Sequence, residues 1–192
     1  MGVEPSAQPG LVLVSGPSRS GKSRWAEHLA ASSGQPVLYL ATGALRPDDA
    51  RWQQRLDLHR QRRPPHWSTL EVGGNLSAAL NQLLDAPPQP LPLLLVDALG
   101  TWLAHHLDLS EQAWELECEH LLNTLAQLPL PVVLVCEEVG WGVVPATAIG
   151  GLFRDRLGAL QQRLMAQSVA AWLVVQGRAL DLHALGHAVP LT

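Results

Sequence analysis

LVLVSGPSRSGKS, residues 11 to 23, joins an apolar run to a glycine-rich turn and then to a helical pattern. Within it, Gly16, Pro17, Ser18, Arg19, Ser20, Gly21, Lys22 and Ser23 fit the spacing G-x-x-x-x-G-K-[ST]. That spacing has a mechanical meaning. The glycines let successive backbone N–H groups turn inward around phosphate oxygens, and the helix that follows presents its positive dipole end. Lys22 reaches the β and γ phosphates, and the Ser23 hydroxyl serves Mg²⁺. A strand before the loop and an amphipathic helix after it are the context this chemistry needs, and both are present here.

Outward from the loop, short apolar runs alternate with longer amphipathic ones. Strands are expected at 11–15, 36–41, 67–72, 92–97, 131–136 and 171–176, and helices at roughly 22–33, 48–62, 76–85, 99–108, 111–127 and 148–168. Most of the strand runs are continuous in Val and Leu instead of alternating, the pattern of strands buried on both faces of a parallel sheet. Strand and helix in repetition predict a three-layer α/β domain with right-handed crossovers. Residues 1–10 read as a flexible tail and 11–192 as one nucleotide-binding catalytic domain. Gly73-Gly74 followed by Asn75 marks a helix start, and PPQPLP at 87–92 is a surface loop.

Composition narrows the function classes. The chain has 192 residues, 13 Lys and Arg against 17 Asp and Glu, and a net charge of −4. Nucleic-acid binding draws on a surplus of cations, so this balance speaks against it. Only two cysteines are present, Cys118 and Cys136, which gives neither a disulfide framework nor a metal quartet; a reduced, cytoplasmic setting is the expectation. No apolar run is long enough to span a membrane.

A phosphate loop also needs an acid at a neighbouring strand end to hold the Mg²⁺ shell. Asp97, closing PLLLVD, is the candidate, and Glu137 and Glu138 close the fifth strand ahead of a glycine-rich turn. Carboxyl ends of parallel strands are where α/β ligand sites assemble. The stretch LHRQRRPPHW, 58–67, adds cations. On a helix over 48–62, Arg51, Arg55, His59 and Arg62 share a face, with Arg60 and Arg63 beside it. Like charges so placed favour an anionic partner, such as a nucleoside triphosphate. His59 then has two readings: a polar side chain on a solvated helix, or a nucleophile toward phosphorus. The second requires a neutral imidazole, which neighbouring arginines favour while their guanidinium forks hold phosphate oxygens.

Taken together, LVLVSGPSRSGKSRWAE, LYLAT, RLDLHRQRRPPHWSTLE, LLLVDALGTWL, EEVGWGVVP, FRDRLGALQQRL and AWLVVQG resemble the bifunctional adenosylcobinamide kinase/adenosylcobinamide-phosphate guanylyltransferases of cobalamin biosynthesis. The resemblance implies a RecA-like P-loop fold and two reactions. One is phosphorylation of the aminopropanol hydroxyl of adenosylcobinamide by GTP or ATP. The other is transfer of GMP from GTP to the phosphorylated corrinoid through a guanylylated histidine. It places that histidine at His59, the phosphate loop at Lys22 and Ser23, the second acid at Asp97, and the EVGxG turn at Glu138, Gly140 and Gly142. It further implies a homo-oligomer, a trimer in some members. Against the family pattern, Gly100 stands for Thr, His105 for Asn, Glu137 for Asn, Gly151 for Arg and Gln161 for Asn. The nucleotide machinery is kept, while polar groups around it are changed. Two other readings fit the phosphate loop: a small-molecule kinase without a covalent intermediate, and a RecA-like ATPase with an interaction role.

Overall fold

The computed structural model describes residues 9–43, 48, 49, 54, 57 and 60–189. Seven strands form one sheet in the order β3-β2-β4-β5-β1-β6-β7. They are β1 Gly10–Gly16, β2 Val37–Ala41, β3 Ser68–Glu71, β4 Leu93–Asp97, β5 Pro131–Glu137, β6 Ala170–Val175 and β7 Arg178–Asp181. The first six pair in parallel and β7 runs antiparallel to β6. Helices include α1 Lys22–Ser32, α2 Leu76–Asp85, α3 Leu99–Ala104, α4 Glu111–Gln127, α5 Ala148–Gln167 and α6 Leu182–Leu185, and the described residues 54, 57 and 60–62 are helical too.

The continuous apolar runs became the central strands for the reason their composition suggests. Even-numbered residues of β4 and β5, such as Leu94, Val96 and Leu134, pack with α2 to α5, while Leu93, Leu95, Val133 and Val135 pack with Ala26 and Leu29 of α1. Two cores separated by the sheet make the three layers. β3 lies at the edge, where all four of its residues are exposed.

Three details depart from the sequence reading. β1 begins at Gly10, paired with Pro131, inside the segment assigned to the tail; residues 1–8 lie outside the described residues. The helix expected over 99–108 stops at Ala104, where the N–H groups of His105 and His106 turn to the carbonyls three residues back, of Trp102 and Leu103, at 3.0 and 2.8 Å, and the chain beyond is held from another helix. The carbonyls of His106 and Leu109 accept hydrogen bonds from the buried Arg156 guanidinium of α5 at 3.0 and 2.7 Å. The hairpin to β7 was missed. Gln176 and Gly177, at φ 49° and 76°, form its two-residue turn, a conformation matched to strand twist.

Candidate active site

The loop after β1 wraps as its spacing predicts. Gly16 sits so close to β6 that a Cβ there would collide with the Val174 carbonyl oxygen and come within 2.7 Å of Ser20 Oγ. Arg19 and Gly21 take left-handed backbone at φ 60° and 104°, turning the chain into α1. The Ser20 hydroxyl accepts from the Lys22 N–H at 3.3 Å, and the Ser20 carbonyl accepts from Gly177 N–H at 3.0 Å. Lys22 is buried, with Nζ donating to the Pro17 carbonyl at 3.4 Å across the loop. Ser18 and Arg19 face solvent at the loop crown.

Neighbouring strand ends bring the acids. Asp97 closes β4, and its Oδ2 accepts the Tyr39 hydroxyl at 2.8 Å. Burial first, and Asp97 next, push the Tyr39 phenol well above its ordinary value, so it remains a donor. Thr42 braces the same turn: its hydroxyl lies 2.6 Å from the Ala98 carbonyl, 2.8 Å from the Ala98 N–H and 2.5 Å from the Thr101 hydroxyl. Glu138 follows β5, its N–H donating to the Gly16 carbonyl at 2.9 Å and its carboxylate accepting from Gly140 at 3.1 Å.

Glu137 is the residue whose role the sequence left least defined. Its Oε2 accepts the Gly100 N–H at 2.8 Å. Burial raises its carboxyl above the usual range, with Gly100 and the Lys22 charge opposing the rise and Asp97 adding to it. Lys22, Asp97 and Glu137 therefore form one electrostatic unit above the sheet. Gly100 and Glu137 are also matched in shape. A Cβ at 100 would meet the Glu137 carboxylate, with its Cδ at 2.9 Å and Phe153 Cζ at 3.3 Å.

The basic stretch connects to this unit through Arg63, whose guanidinium carbon lies 3.4 Å from the centroid of the Tyr39 ring. Arg63 Nε is buried and has no hydrogen-bond partner among the described residues. Arg62 reaches Glu27 of α1 at 3.0 Å and Arg60 reaches Glu71 of β3 at 3.3 Å. His59 and Arg55 lie outside the described residues, as do most of residues 48–62. Tyr39 and Thr42 were missed as site residues, although LYLAT was among the stretches carrying the resemblance.

The remaining donors suit a hard cation. A Ser23 hydroxyl and an Asp97 carboxylate fit Mg²⁺, which keeps several waters and takes its other ligands from phosphate. Among the described residues no three His, Cys, Asp or Glu side chains gather into a metal centre of their own. No described helix is long and apolar enough to cross a membrane.

Comparison with known proteins agrees with this geometry. Residues 12–182 match the family model described as cobinamide kinase / cobinamide phosphate guanyltransferase. The chain is 36% identical over 181 residues to the bifunctional adenosylcobalamin biosynthesis protein CobU of Escherichia coli (strain K12), covering 87% of this chain and 96% of the relative. It is 39% identical over 171 residues to the bifunctional adenosylcobalamin biosynthesis protein CobP of Pseudomonas aeruginosa, covering 88% and 95%. Among solved structures, the RadB recombinase superposes with a TM-score of 0.50 at 17% identity, covering 87% of this chain and 74% of that one. That likeness concerns the fold, which is RecA-like.

Proposed function

From the premise that the chain belongs to the cobinamide kinase/cobinamide phosphate guanyltransferase family, we propose that it phosphorylates adenosylcobinamide and then guanylylates the product. The observation that carries the reading is the buried Lys22 inside the Gly16–Ser23 loop, with Asp97 and Glu138 at the adjoining strand ends.

In the kinase step the corrinoid hydroxyl attacks the γ-phosphorus of GTP or ATP. The bond from that phosphorus to the bridging oxygen breaks, and the nucleoside diphosphate leaves. Lys22 and the loop amides stabilise charge on the phosphoryl oxygens, so positioning supplies most of the catalysis. Mg²⁺, held by Ser23 and Asp97, would neutralise further negative charge on the phosphates. In the second reaction a neutral His59 attacks the α-phosphorus of GTP; a P–N bond forms and pyrophosphate departs. An oxygen of the corrinoid phosphate then takes GMP, breaking the P–N bond and freeing the imidazole. Arg55, Arg60, Arg62 and Arg63 would hold phosphate oxygens during these attacks, and the Arg63 Nε, unpartnered among the described residues, supports that role. Gly16 to Ser23 bind the triphosphate, and Glu138 closes the nucleotide site. The setting we infer is cytoplasmic and the assembly a homo-oligomer, a trimer as in some members of the family.

The test uses GTP labelled at the α or the γ position. Label from the α position should stay on the chain through alkali and be lost in acid, and should be absent in His59→Ala. Lys22→Ala should lose both reactions, whereas His59→Ala keeps corrinoid phosphorylation. Wild-type protein that phosphorylates cobinamide but never takes α label would instead identify a kinase without a covalent intermediate.

A further inference from the structure

On the face of the sheet opposite α1 lies a cavity of about 920 Å³ between α5, β1 and the segment after β7. Its size is at the upper end for small-molecule sites. Three observations give it a meaning. The first is position. Glu138 lines it, and the Glu138 N–H donates to the Gly16 carbonyl at 2.9 Å, so the cavity ends at the head of the phosphate loop.

The second is Gly158 in the FRDRLG stretch. It sits within α5, where glycine costs about 1 kcal/mol relative to alanine. Its backbone needs no left-handed angle, and a Cβ there would meet nothing within 4 Å. Neither turn geometry nor crowding accounts for it. What its missing side chain does is leave the cavity wall open.

The third is lining chemistry. Leu13, Met165 and Leu182 supply an apolar floor; Gln162 lines the same space, as do Gln161, whose Nε2 is held by the Glu137 carbonyl at 3.0 Å, and His183, whose Nε2 pairs with the Ser168 hydroxyl at 3.1 Å. An apolar floor with amide-bonding groups at the sides matches a large ring whose faces are hydrocarbon and whose rim carries carboxamides.

Resting on the functional reading above, we infer that this cavity is the acceptor site, seating the corrinoid ring so that its aminopropanol arm reaches past Glu138 to the phosphate loop. The triphosphate and the acceptor then approach the end of β5 from different sides. The same seat serves the phosphorylated product in the second reaction.

Gly158→Trp fills the cavity from an open position, and Ala159→Trp, one residue on at an exposed site outside the lining, is the control. Adenosylcobinamide binding is followed by the absorbance of the corrinoid, GTP binding by calorimetry. Gly158→Trp should weaken corrinoid binding by at least about tenfold and leave GTP affinity unchanged, with Ala159→Trp behaving as wild type. Gly158→Ala, which favours the helix, should fold as wild type and show a smaller loss of corrinoid affinity. Loss of GTP affinity in Gly158→Trp would assign the cavity to the nucleoside and overturn the inference. Wild-type corrinoid affinity in Gly158→Trp would overturn it too. If the wild-type protein phosphorylates no corrinoid, the functional reading itself falls.

Discussion

Replacing Gly100 by alanine should destabilise the wild-type chain yet leave a Glu137→Asn chain unharmed. The Gly100 N–H donates to Glu137 Oε2 at 2.8 Å, and a Cβ at 100 would press on the carboxylate, with Cδ at 2.9 Å. The carboxylate must swing away, which forfeits a hydrogen bond to a charged group worth about 1.5–3 kcal/mol. Against that, alanine in a helix gains up to about 1 kcal/mol over glycine. With the full helix gain the net cost of Gly100→Ala in the parent should therefore be about 0.5–2 kcal/mol. With the shorter asparagine side chain in place of the glutamate the collision is gone and only the helix gain remains, so the coupling between the two sites should be about 1.5–3 kcal/mol. Urea midpoints of the parent, both single variants and the double variant at neutral pH measure it. Additive effects within about 0.5 kcal/mol would show that Glu137 does not depend on the absent side chain at 100, and the matched-pair reasoning would be wrong.

Two further outcomes follow from the buried groups. Glu137 has a carboxyl raised above 4.5 in the folded chain, chiefly by burial, so over a window that begins near 4.5 the folded state holds a proton the unfolded state has lost. Wild-type stability should fall as pH rises through that window and level off above the folded pKa, and Glu137→Gln should remove the fall. Chemical unfolding of both proteins across that range checks this, and a wild-type gain relative to the Glu137→Gln variant with rising pH would contradict it. Burial pushes the Cys118 thiol up to about 12 and Cys136 well above its ordinary value. Iodoacetamide at pH 8 should leave both unmodified in the native protein and label both in urea, whereas rapid native labelling of either would refute their burial.

Local pattern made the strands legible because a parallel sheet buries both faces and writes that burial as continuous apolar runs. The phosphate loop was legible because its backbone angles demand particular residues at fixed offsets. β7 escaped because Arg178–Asp181 is short and alternates only weakly, and its pairing is decided by the turn at Gln176 and Gly177. The end of α3 escaped because residues 106–109, helix-compatible in the sequence, are instead fixed as a turn whose carbonyls accept from Arg156, some fifty residues on. Tyr39 could not be assigned to Asp97 either, since only the β2–β4 pairing brings Ala41 opposite Asp97 and so sets the two elements side by side. Gly100 and Glu137 were visible one at a time, as departures from a family pattern. That they compensate each other is a statement about space, and no spacing along the chain encodes it.

The phosphate loop and the acceptor seat proposed above meet at the end of β5. The two acids there take different directions: Glu137, the last residue of β5, goes to the Gly100 N–H beside Lys22 and Asp97, and Glu138, just past it, lines the cavity under α5. Which acid goes where is set by register, because a one-residue slip turns every side chain to the other face. Register here is pinned from both sides, by Gly16 opposite Glu137 on β1 and by Asp97 opposite Val135 on β4. The same two pairings bring the phosphate loop and the β4 acid to the end of β5. On the proposed placement of the acceptor, one set of strand contacts fixes both the nucleotide site and the acceptor seat, and a substitution that shifted β5 should impair both reactions at once.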